Sequence, residues 1–280
     1  MRRVIATVMC GWVLTLAAAA QSGLGKLDPA PPDGKTPEQI IAEMGKKESA
    51  FVKARDNYTF RQSVVMQTIN DDNGKPDGEY RQVTDIGFDK AGKRMETVVF
   101  APQNTMERVS LDSYDLEDVA KRIPLVLTTQ DLPNYDVKYV GRQKVDDLDT
   151  YVFDATPKNA DFQHRFFEGR VWVDQKDLEI VMINGKNVPD DIKHGHFSIP
   201  FTTYYEQVDT VNWFPTYTRA DGTVHFAASK DGPANDIHMR NTVKYTDYRR
   251  YRSSARIIYN GQDITDQKPD GGNANPADKK

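Results

Sequence analysis

The sequence reads YVFDATPK at residues 151–158, RFFEGRVWVD at 165–174, LEIVMI at 178–183 and WFPTY at 213–217. These segments are rich in aromatic and β-branched residues, which favour strands, and polar or glycine-containing segments that favour turns separate them. They contain two of the chain's three Trp residues, and none of them has a pattern typical of a catalytic site. We therefore predict successive strands, and the functional question becomes what such a sheet binds.

The same strand pattern continues on both sides of this region. Apolar and polar residues alternate at 58–66, 80–88, 135–145 and 237–245, and shorter strand-like segments lie at 94–100, 201–209 and 224–228. Asn73-Gly74, Asn184-Gly185 and Asp221-Gly222 predict turns. The pattern predicts a mainly β protein of the α+β kind, in which about ten strands in meander order form one strongly bent antiparallel sheet.

Two helices are predicted beside the sheet. The residues TPEQ at 36–39 match a capping box with proline at the first helical position, and Ile40, Met44 and Phe51 then follow at helical spacing. A second, short helix is predicted at 112–120, where Asp112 provides the cap and acidic residues fill the first turn. Residues 123–134 have no clear periodicity, so they form a lid, a connector or another short helix.

The two ends of the chain are predicted to lie outside the folded domain. Residues 1–22 are typical of a cleaved secretory signal peptide, because Arg2 and Arg3 precede an apolar segment that ends in alanines. Residues 23–35 contain three prolines and are predicted to form a flexible leader. The folded domain is predicted to span 36–259, and residues 260–280 have too few apolar groups to offset their ordering entropy, which predicts a disordered tail.

Composition argues against several classes of function. The formal net charge is −4 and the sequence pI is about 5.8, and loss of Arg2 and Arg3 with the signal makes the charge more negative, so no nucleic-acid partner is expected. The single cysteine, Cys10, lies within the signal, which leaves the mature chain without thiol or disulfide chemistry. No hydrolase motif such as G-x-S-x-G or H-E-x-x-H occurs, so we expect no enzyme, no catalytic residue and no cofactor.

A loop with the sequence DDIKHGH at 190–196 contains two histidines and two carboxylates. Alternate histidines on an extended segment can face one metal ion, and imidazole suits Zn, Cu or Ni. A structural site needs four ligands at defined spacing, however, and the other histidines are scattered. We interpret the segment as a solvated polar loop and assign no metal site.

Several segments resemble a known family when they are taken together. The residues YTFRQ at 58–62, YVFDATPK at 151–158, and GRVWVD followed by LEIV at 169–181 resemble outer-membrane lipoprotein-sorting proteins of the LolA-like superfamily, over about 36–251. The resemblance implies an unclosed β-barrel whose concave face, lidded by helices, forms an apolar cavity for acyl chains. It also implies a periplasmic location. Lys93 and Arg94 fall near the position of the arginine that latches the carrier's lid, but that role is not carried over.

Seven aromatic residues are candidates for the lining of such a cavity. They either contact a hydrophobic ligand or pack beneath the N-terminal helix, and they are Phe60, Tyr80, Phe88, Phe153, Phe167, Trp172 and Trp213. The sequence thus leads us to expect an exported, monomeric protein that binds a lipid or a lipoprotein acyl chain in lipoprotein sorting or envelope lipid trafficking. The alternative is a non-carrier interaction or sensor module on the same fold, which would contact envelope membrane proteins.

Overall fold

The computed structural model describes residues 23–89, 91–121, 127–160, 166–190, 198–226, 234–250, 258–259 and 262–263. The predicted signal peptide, the histidines of the 190–196 loop and most of the predicted tail lie outside these ranges. Within that tail, Gln262–Asp263 pairs with Ile258–Tyr259 as a two-residue hairpin. None of the described helices is long and apolar enough to cross a membrane.

Helix α1 spans Pro37–Arg55 and begins as the sequence predicts. The backbone N–H of Gln39 donates to Thr36 Oγ1 at 3.3 Å, and the N–H of Thr36 donates to Gln39 Oε1 at 2.9 Å. This reciprocal cap satisfies donors that the first helical turn leaves free. The apolar face of α1 buries Ile40, Met44 and Phe51.

Ten long strands and one further α-helix follow α1. The elements are β1 (Tyr58–Ile69), β2 (Pro76–Phe88), β3 (Arg94–Phe100), α2 (Ser113–Lys121), β4 (Tyr135–Val145), β5 (Leu148–Pro157), β6 (Phe166–Asp174), β7 (Ile180–Val188), β8 (Phe201–Gln207), β9 (Trp213–Phe226) and β10 (Asn235–Arg250). A short 3₁₀-helix at Leu132–Asn134 precedes β4.

All ten strands belong to one antiparallel sheet in the order β3-β2-β1-β10-β9-β8-β7-β6-β5-β4. Strands β4 to β10 form a continuous meander, and β10 then pairs with β1, which brings the first hairpin beside the last strand. Strands β3 and β4 are the two edges and do not pair with each other. The sheet is therefore unclosed, and the predicted fold class is confirmed.

The two helices cover one face of the sheet, which we call the inner face. Ile40 and Met44 of α1 pack on inner-face residues of β4 to β9, and Leu116 and Val119 of α2 pack on those of β1, β2 and β10. The opposite, outer face buries a separate apolar cluster on β4 to β7, centred on Trp172. Strands β4 to β7 thus bury apolar residues on both faces of the sheet.

The segment predicted to be a flexible leader pairs with the edge of β4. The N–H groups of Gly25 and Asp28 donate to the carbonyls of Lys144 and Arg142, both at 2.8 Å, and the Arg142 N–H donates back to Asp28 at 2.7 Å. Gly141, with φ of 155°, allows this approach, because a Cβ there would lie 2.3 Å from the Asp28 carbonyl oxygen. The leader therefore covers an otherwise open sheet edge.

The turns predicted at Asn184-Gly185 and Asp221-Gly222 are wrong, because β7 continues through the first pair and β9 through the second. Asp221 instead accepts hydrogen bonds from Arg240 Nε at 2.8 Å and from Arg219 Nη2 at 3.0 Å, and its other oxygen lies 2.6 Å from His238 Nε2. These bonds join β9 to β10 on the outer face. Ion pairing across the strands favours an extended backbone where the dipeptide alone favours a turn.

Candidate functional site

A cavity of about 240 Å³ lies between the C-terminal end of α1 and the inner face of the sheet. Small-molecule pockets commonly enclose roughly 300–1,000 Å³, so this space suits part of a ligand, such as the end of one alkyl chain. Its walls are aromatic side chains and two arginines, and the lining residues are Phe51, Arg55, Phe60, Phe88, Gly92, Arg94, Phe214, Pro215, Tyr245 and Tyr248.

The aromatic side chains form a packed wall centred on Phe214. The ring of Phe214 lies 5.2 Å from that of Phe51 and 4.6 Å from that of Tyr248, between centroids. Phe60 stacks on Tyr248 at 5.2 Å. Aromatic pairs at such separations stabilise one another by about 0.5–1.5 kcal/mol beyond their buried area. The wall is therefore apolar and held in place by its own contacts.

The tyrosines of this wall keep their protons over the physiological pH range. Burial raises the pKa of Tyr245 to about 12, although hydrogen bonds with Thr218 and Gln62 favour its ionised form. Burial likewise raises the pKa of Tyr248 well above its usual value, and its hydroxyl donates to the Pro215 carbonyl at 2.7 Å. Neither phenol is suited to act as an acid or a base near neutral pH.

Two arginines from different elements reach the same cavity. Arg55 lies in the last turn of α1, where the helix dipole favours a cation, and its Cζ lies 5.1 Å from the centroid of the Phe88 ring. Arg94 opens β3, and its Cζ lies 6.0 Å from the centroid of the Phe60 ring. Both distances are within the range of cation–π attraction. The aromatic wall therefore also holds the two guanidinium groups.

The hydrogen bonding of the two guanidinium groups differs. Arg94 donates from Nη2 to Gln62 Oε1 at 2.9 Å and from Nε to Glu96 Oε1 at 2.7 Å. Arg55 Nη2 lies 3.7 Å from Asp56 Oδ1, which is an ion pair too long for a hydrogen bond. Among the described residues, no atom accepts a hydrogen bond from the buried Nε of Arg55.

The structure brings together two of the seven predicted lining residues, Phe60 and Phe88, which face the same cavity. Phe153 and Phe167 pack beneath α1 with exposed fractions of 0% and 4%. Tyr80 lines a separate cavity of about 270 Å³, with Leu116 of α2 among its neighbours. The seven candidates are thus distributed over more than one environment.

The two tryptophans lie apart from the cavity. Trp172 belongs to the outer-face cluster, where its Nε1 donates to Gln143 Oε1 at 2.8 Å. Trp213 is half-buried at the start of β9 and contacts both the inner and the outer apolar clusters. It lines a groove with Tyr204, which projects from the neighbouring strand β8.

Of the ten lining residues, the sequence predicts only Phe60 and Phe88; the large side chains that it misses are Phe51, Arg55, Arg94, Phe214, Tyr245 and Tyr248. The sequence predicts only that Phe51 lies on the buried face of α1. Phe214 lies between Trp213 and Pro215, so no alternation of apolar and polar residues indicates which face of the strand it occupies. The sequence does place Arg55 near the end of the predicted helix and Arg94 at the start of a predicted strand. Only the fold shows that the two side chains reach the same cavity.

Comparison with known proteins gives matches only among solved structures. No protein-family model matches the chain, and no curated protein matches it. A DUF1329 family protein from Desulfovibrio piger is 15% identical, with a TM-score of 0.43, and the match covers 79% of this chain and 95% of that one. A LolA superfamily protein from Nitrosomonas europaea is 16% identical, with a TM-score of 0.33, covering 76% and 93%.

The sheet and its N-terminal helix have the arrangement that the sequence resemblance predicts, an unclosed antiparallel sheet with a helix against its inner face. Because the identities are low and the TM-scores are below 0.5, the comparisons carry no argument about a ligand. The cavity and the exposed edge of the sheet are the features that bear on function.

The edge strand β3 is the most exposed apolar part of the described sheet. Met95 and Val98 are each 56% exposed, and Val99 and Phe100 are 50% and 51% exposed. The opposite edge, β4, is covered by the leader segment at 23–28. An uncovered apolar edge strand can pair with an extended segment of another chain.

No metal centre competes with the cavity as the candidate site within the part of the chain that the structure describes. No three His, Cys, Asp or Glu side chains there are grouped closely enough to hold a metal ion. Asp190, the first residue of the polar loop, accepts hydrogen bonds from Lys186 Nζ and from the Ser198 N–H, both at 3.0 Å. The two histidines of that loop lie outside the described residues.

Proposed function

We propose that this chain is an exported envelope protein that binds a hydrophobic ligand, a lipid or the acyl chain of a lipoprotein, in the cavity at the C-terminal end of α1. The observation that carries the proposal is the aromatic wall around Phe214, which faces a space that the wall itself does not fill. Apolar walls with a few convergent polar groups are typical of ligand sites. Transport or sorting of such a ligand would take place in the periplasm.

The chemistry of the cavity supports binding rather than catalysis. Its tyrosines stay protonated near neutral pH because burial raises their pKa values. Arginine stays protonated in proteins and does not act as a base. The described lining residues therefore provide neither a nucleophile nor a general base, and we propose that the ligand leaves the protein chemically unchanged.

The test is native mass spectrometry of the mature protein, purified without detergent from the periplasm of its own host, followed by lipid extraction. We expect one bound lipid per chain, and a mature N-terminus close to residue 23. Phe88→Ser is expected to reduce lipid occupancy, because removal of one aromatic wall residue from contact with an alkyl chain costs about 1.5–3 kcal/mol, or roughly 10- to 100-fold in affinity.

Phe100→Ser is the matched control, since it makes the same substitution at an exposed position outside the cavity. It is expected to leave lipid occupancy unchanged. A wild-type protein that carries no lipid and also fails to bind an added dodecyl-chain probe would contradict the proposal. So would equal losses of lipid from the two variants.

A second candidate function, an interaction or sensor module, is favoured by the exposure of β3. The partner would be an extended segment of an envelope protein that adds to β3 as a further strand, an arrangement in which backbone hydrogen bonds provide affinity. A photo-cross-linking amino acid at Val99 tests this candidate in the living host. We expect one specific cross-linked protein, reduced by Phe100→Ser but not by Phe88→Ser, and the opposite pattern would favour the lipid carrier.

A further inference from the structure

We propose that the ligand of the α1 cavity is a single-chain anionic amphiphile, and that Arg55 and Arg94 bind its phosphate or carboxylate group. The inference rests on the proposed function and specifies the class of ligand. The two arginines come from the end of α1 and the start of β3, and they meet at one cavity whose other walls are mainly aromatic. This combination provides an apolar site for a chain and a cationic site for its head.

The charge of the cavity is unbalanced. None of the described residues that line it is acidic, whereas two are arginines. The carboxylates that pair with the guanidinium groups lie outside the lining: that of Glu96 is 2.7 Å from Arg94, and that of Asp56 is 3.7 Å from Arg55. Burial lowers the pKa of Arg55; the carboxylate of Asp56 opposes this shift, whereas the positive charge of Arg94 adds to it. An anion between the two groups would relieve this repulsion.

Arg55 also has a donor for such an anion. Its Nε is buried and makes no hydrogen bond with any described residue. A buried donor without a partner is costly and uncommon in folded proteins, and it is a recognised sign of a missing ligand or ordered group. A bound oxyanion would satisfy it.

The stacked position of the two arginines suits an oxyanion. The guanidinium of Arg55 lies over the ring of Phe88, and that of Arg94 lies near the ring of Phe60. Ring contact engages the face of a guanidinium and leaves its N–H groups for hydrogen bonds. The planar edge of Arg55 matches the paired oxygens of carboxylate and phosphate groups. Arg94 already donates from Nε to Glu96 and from Nη2 to Gln62, so it would bind the ligand through its remaining nitrogen.

The size of the cavity limits the apolar part of the ligand. About 240 Å³ is below the usual range for small-molecule pockets, roughly 300–1,000 Å³. The space therefore suits the end of one alkyl chain rather than two or three chains side by side. An alkyl phosphate or a fatty acid combines a chain of this bulk with the anionic group that the arginines favour.

Isothermal titration of the mature protein with four probes tests the inference. The probes are dodecyl phosphate and dodecanoate, each below its critical micelle concentration, dodecanol below its solubility limit, and inorganic phosphate. We expect dodecyl phosphate and dodecanoate to bind about 10- to 100-fold more tightly than dodecanol, because hydrogen bonds to charged groups stabilise a complex by roughly that factor. Inorganic phosphate is expected to bind far more weakly than dodecyl phosphate.

Three arginine variants locate the head group. Arg55→Met and Arg94→Met keep an apolar stem and remove the charge, and each is expected to reduce the preference for dodecyl phosphate over dodecanol by about tenfold. Arg170→Met is the control, because Arg170 pairs with Asp154 on the sheet at 2.8 Å and does not line the cavity. It is expected to keep the full preference.

The possible results separate the two proposals. Equal affinities for dodecanol and dodecyl phosphate in the wild-type protein would overturn the anionic head group and leave the hydrophobic ligand in place. Failure of all three alkyl probes to bind would overturn both. Inorganic phosphate binding as tightly as dodecyl phosphate would identify a free anion as the ligand and overturn the amphiphile. An equal loss of preference in Arg170→Met would overturn the assignment to Arg55 and Arg94.

Discussion

Glu48 of α1 is buried beneath the helix, and its substitution by glutamine is expected to change how stability depends on pH. Its exposed fraction is 5%. Burial, with a further contribution from the carboxylate of Glu179, raises the pKa of Glu48 from 4.5 to about 8, although hydrogen bonds with the backbone of Leu127 and Ile180 oppose the rise. Glu48 is therefore protonated in the folded protein at pH 7, and glutamine preserves its neutral shape.

The size of the effect follows from the difference in bound protons. Between pH 4.5 and about 8, the folded chain holds a proton on Glu48 that the unfolded chain has released. Each pH unit in this window then lowers the free energy of unfolding by about 1.4 kcal/mol, or about 3 kcal/mol from pH 5 to pH 7. The stability that Glu48 contributes is complete below pH 4.5 and is lost as the pH rises through about 8.

Urea unfolding at pH 5, 6, 7 and 8, followed by tryptophan fluorescence, measures this dependence. The free energy of unfolding of the wild-type protein should fall with pH more steeply than that of Glu48→Gln, by about 1.4 kcal/mol per unit. Glu43→Gln on the same helix is the matched control, since Glu43 is exposed and pairs with Lys35, and it should follow the wild-type slope. Parallel slopes for wild type and Glu48→Gln would refute the reasoning.

Three other substitutions have distinct expected outcomes. Phe153→Ala should lower the free energy of unfolding by about 3–5 kcal/mol in urea, because the ring is fully buried beneath α1. Trp172→Ala should leave dodecyl phosphate affinity unchanged in calorimetry, since Trp172 lies on the outer face, and a lost affinity would place it at the site. Gly169→Ala should speed amide exchange across β6 and β7, because its Cβ would lie 2.3 Å from the Asn184 carbonyl oxygen; unchanged exchange would contradict this.

Most of the sheet could be predicted from local pattern. Where one face of a strand packs beneath a helix and the other is more exposed, as in β1, apolar residues alternate with polar ones, and the sequence displays the strand directly. The capping box at Thr36 likewise gives the start of α1, because its hydrogen bonds are local. The leader differs, since its pairing with Arg142 depends on a strand more than a hundred residues away.

The candidate cavity could be predicted only in part. Alternation places Phe60 and Phe88 on the inner face, but their meeting with Phe214 depends on the pairing of β1 with β10 and on where α1 ends. Trp172 is a lining candidate because it is a large aromatic residue of a predicted strand, but it lies in the unbroken apolar run Val171-Trp172-Val173. Such a run occurs where both faces of a strand are buried, so it does not indicate which face a side chain occupies.

The measurement that tests the account most directly is a crystal structure of the mature protein with dodecyl phosphate. The account predicts that the alkyl chain lies against Phe88 and Phe214 and that the phosphate oxygens lie within hydrogen-bond distance of Arg55 and Arg94. A cavity closed by the protein's own side chains, with the ligand held elsewhere or not at all, would contradict it.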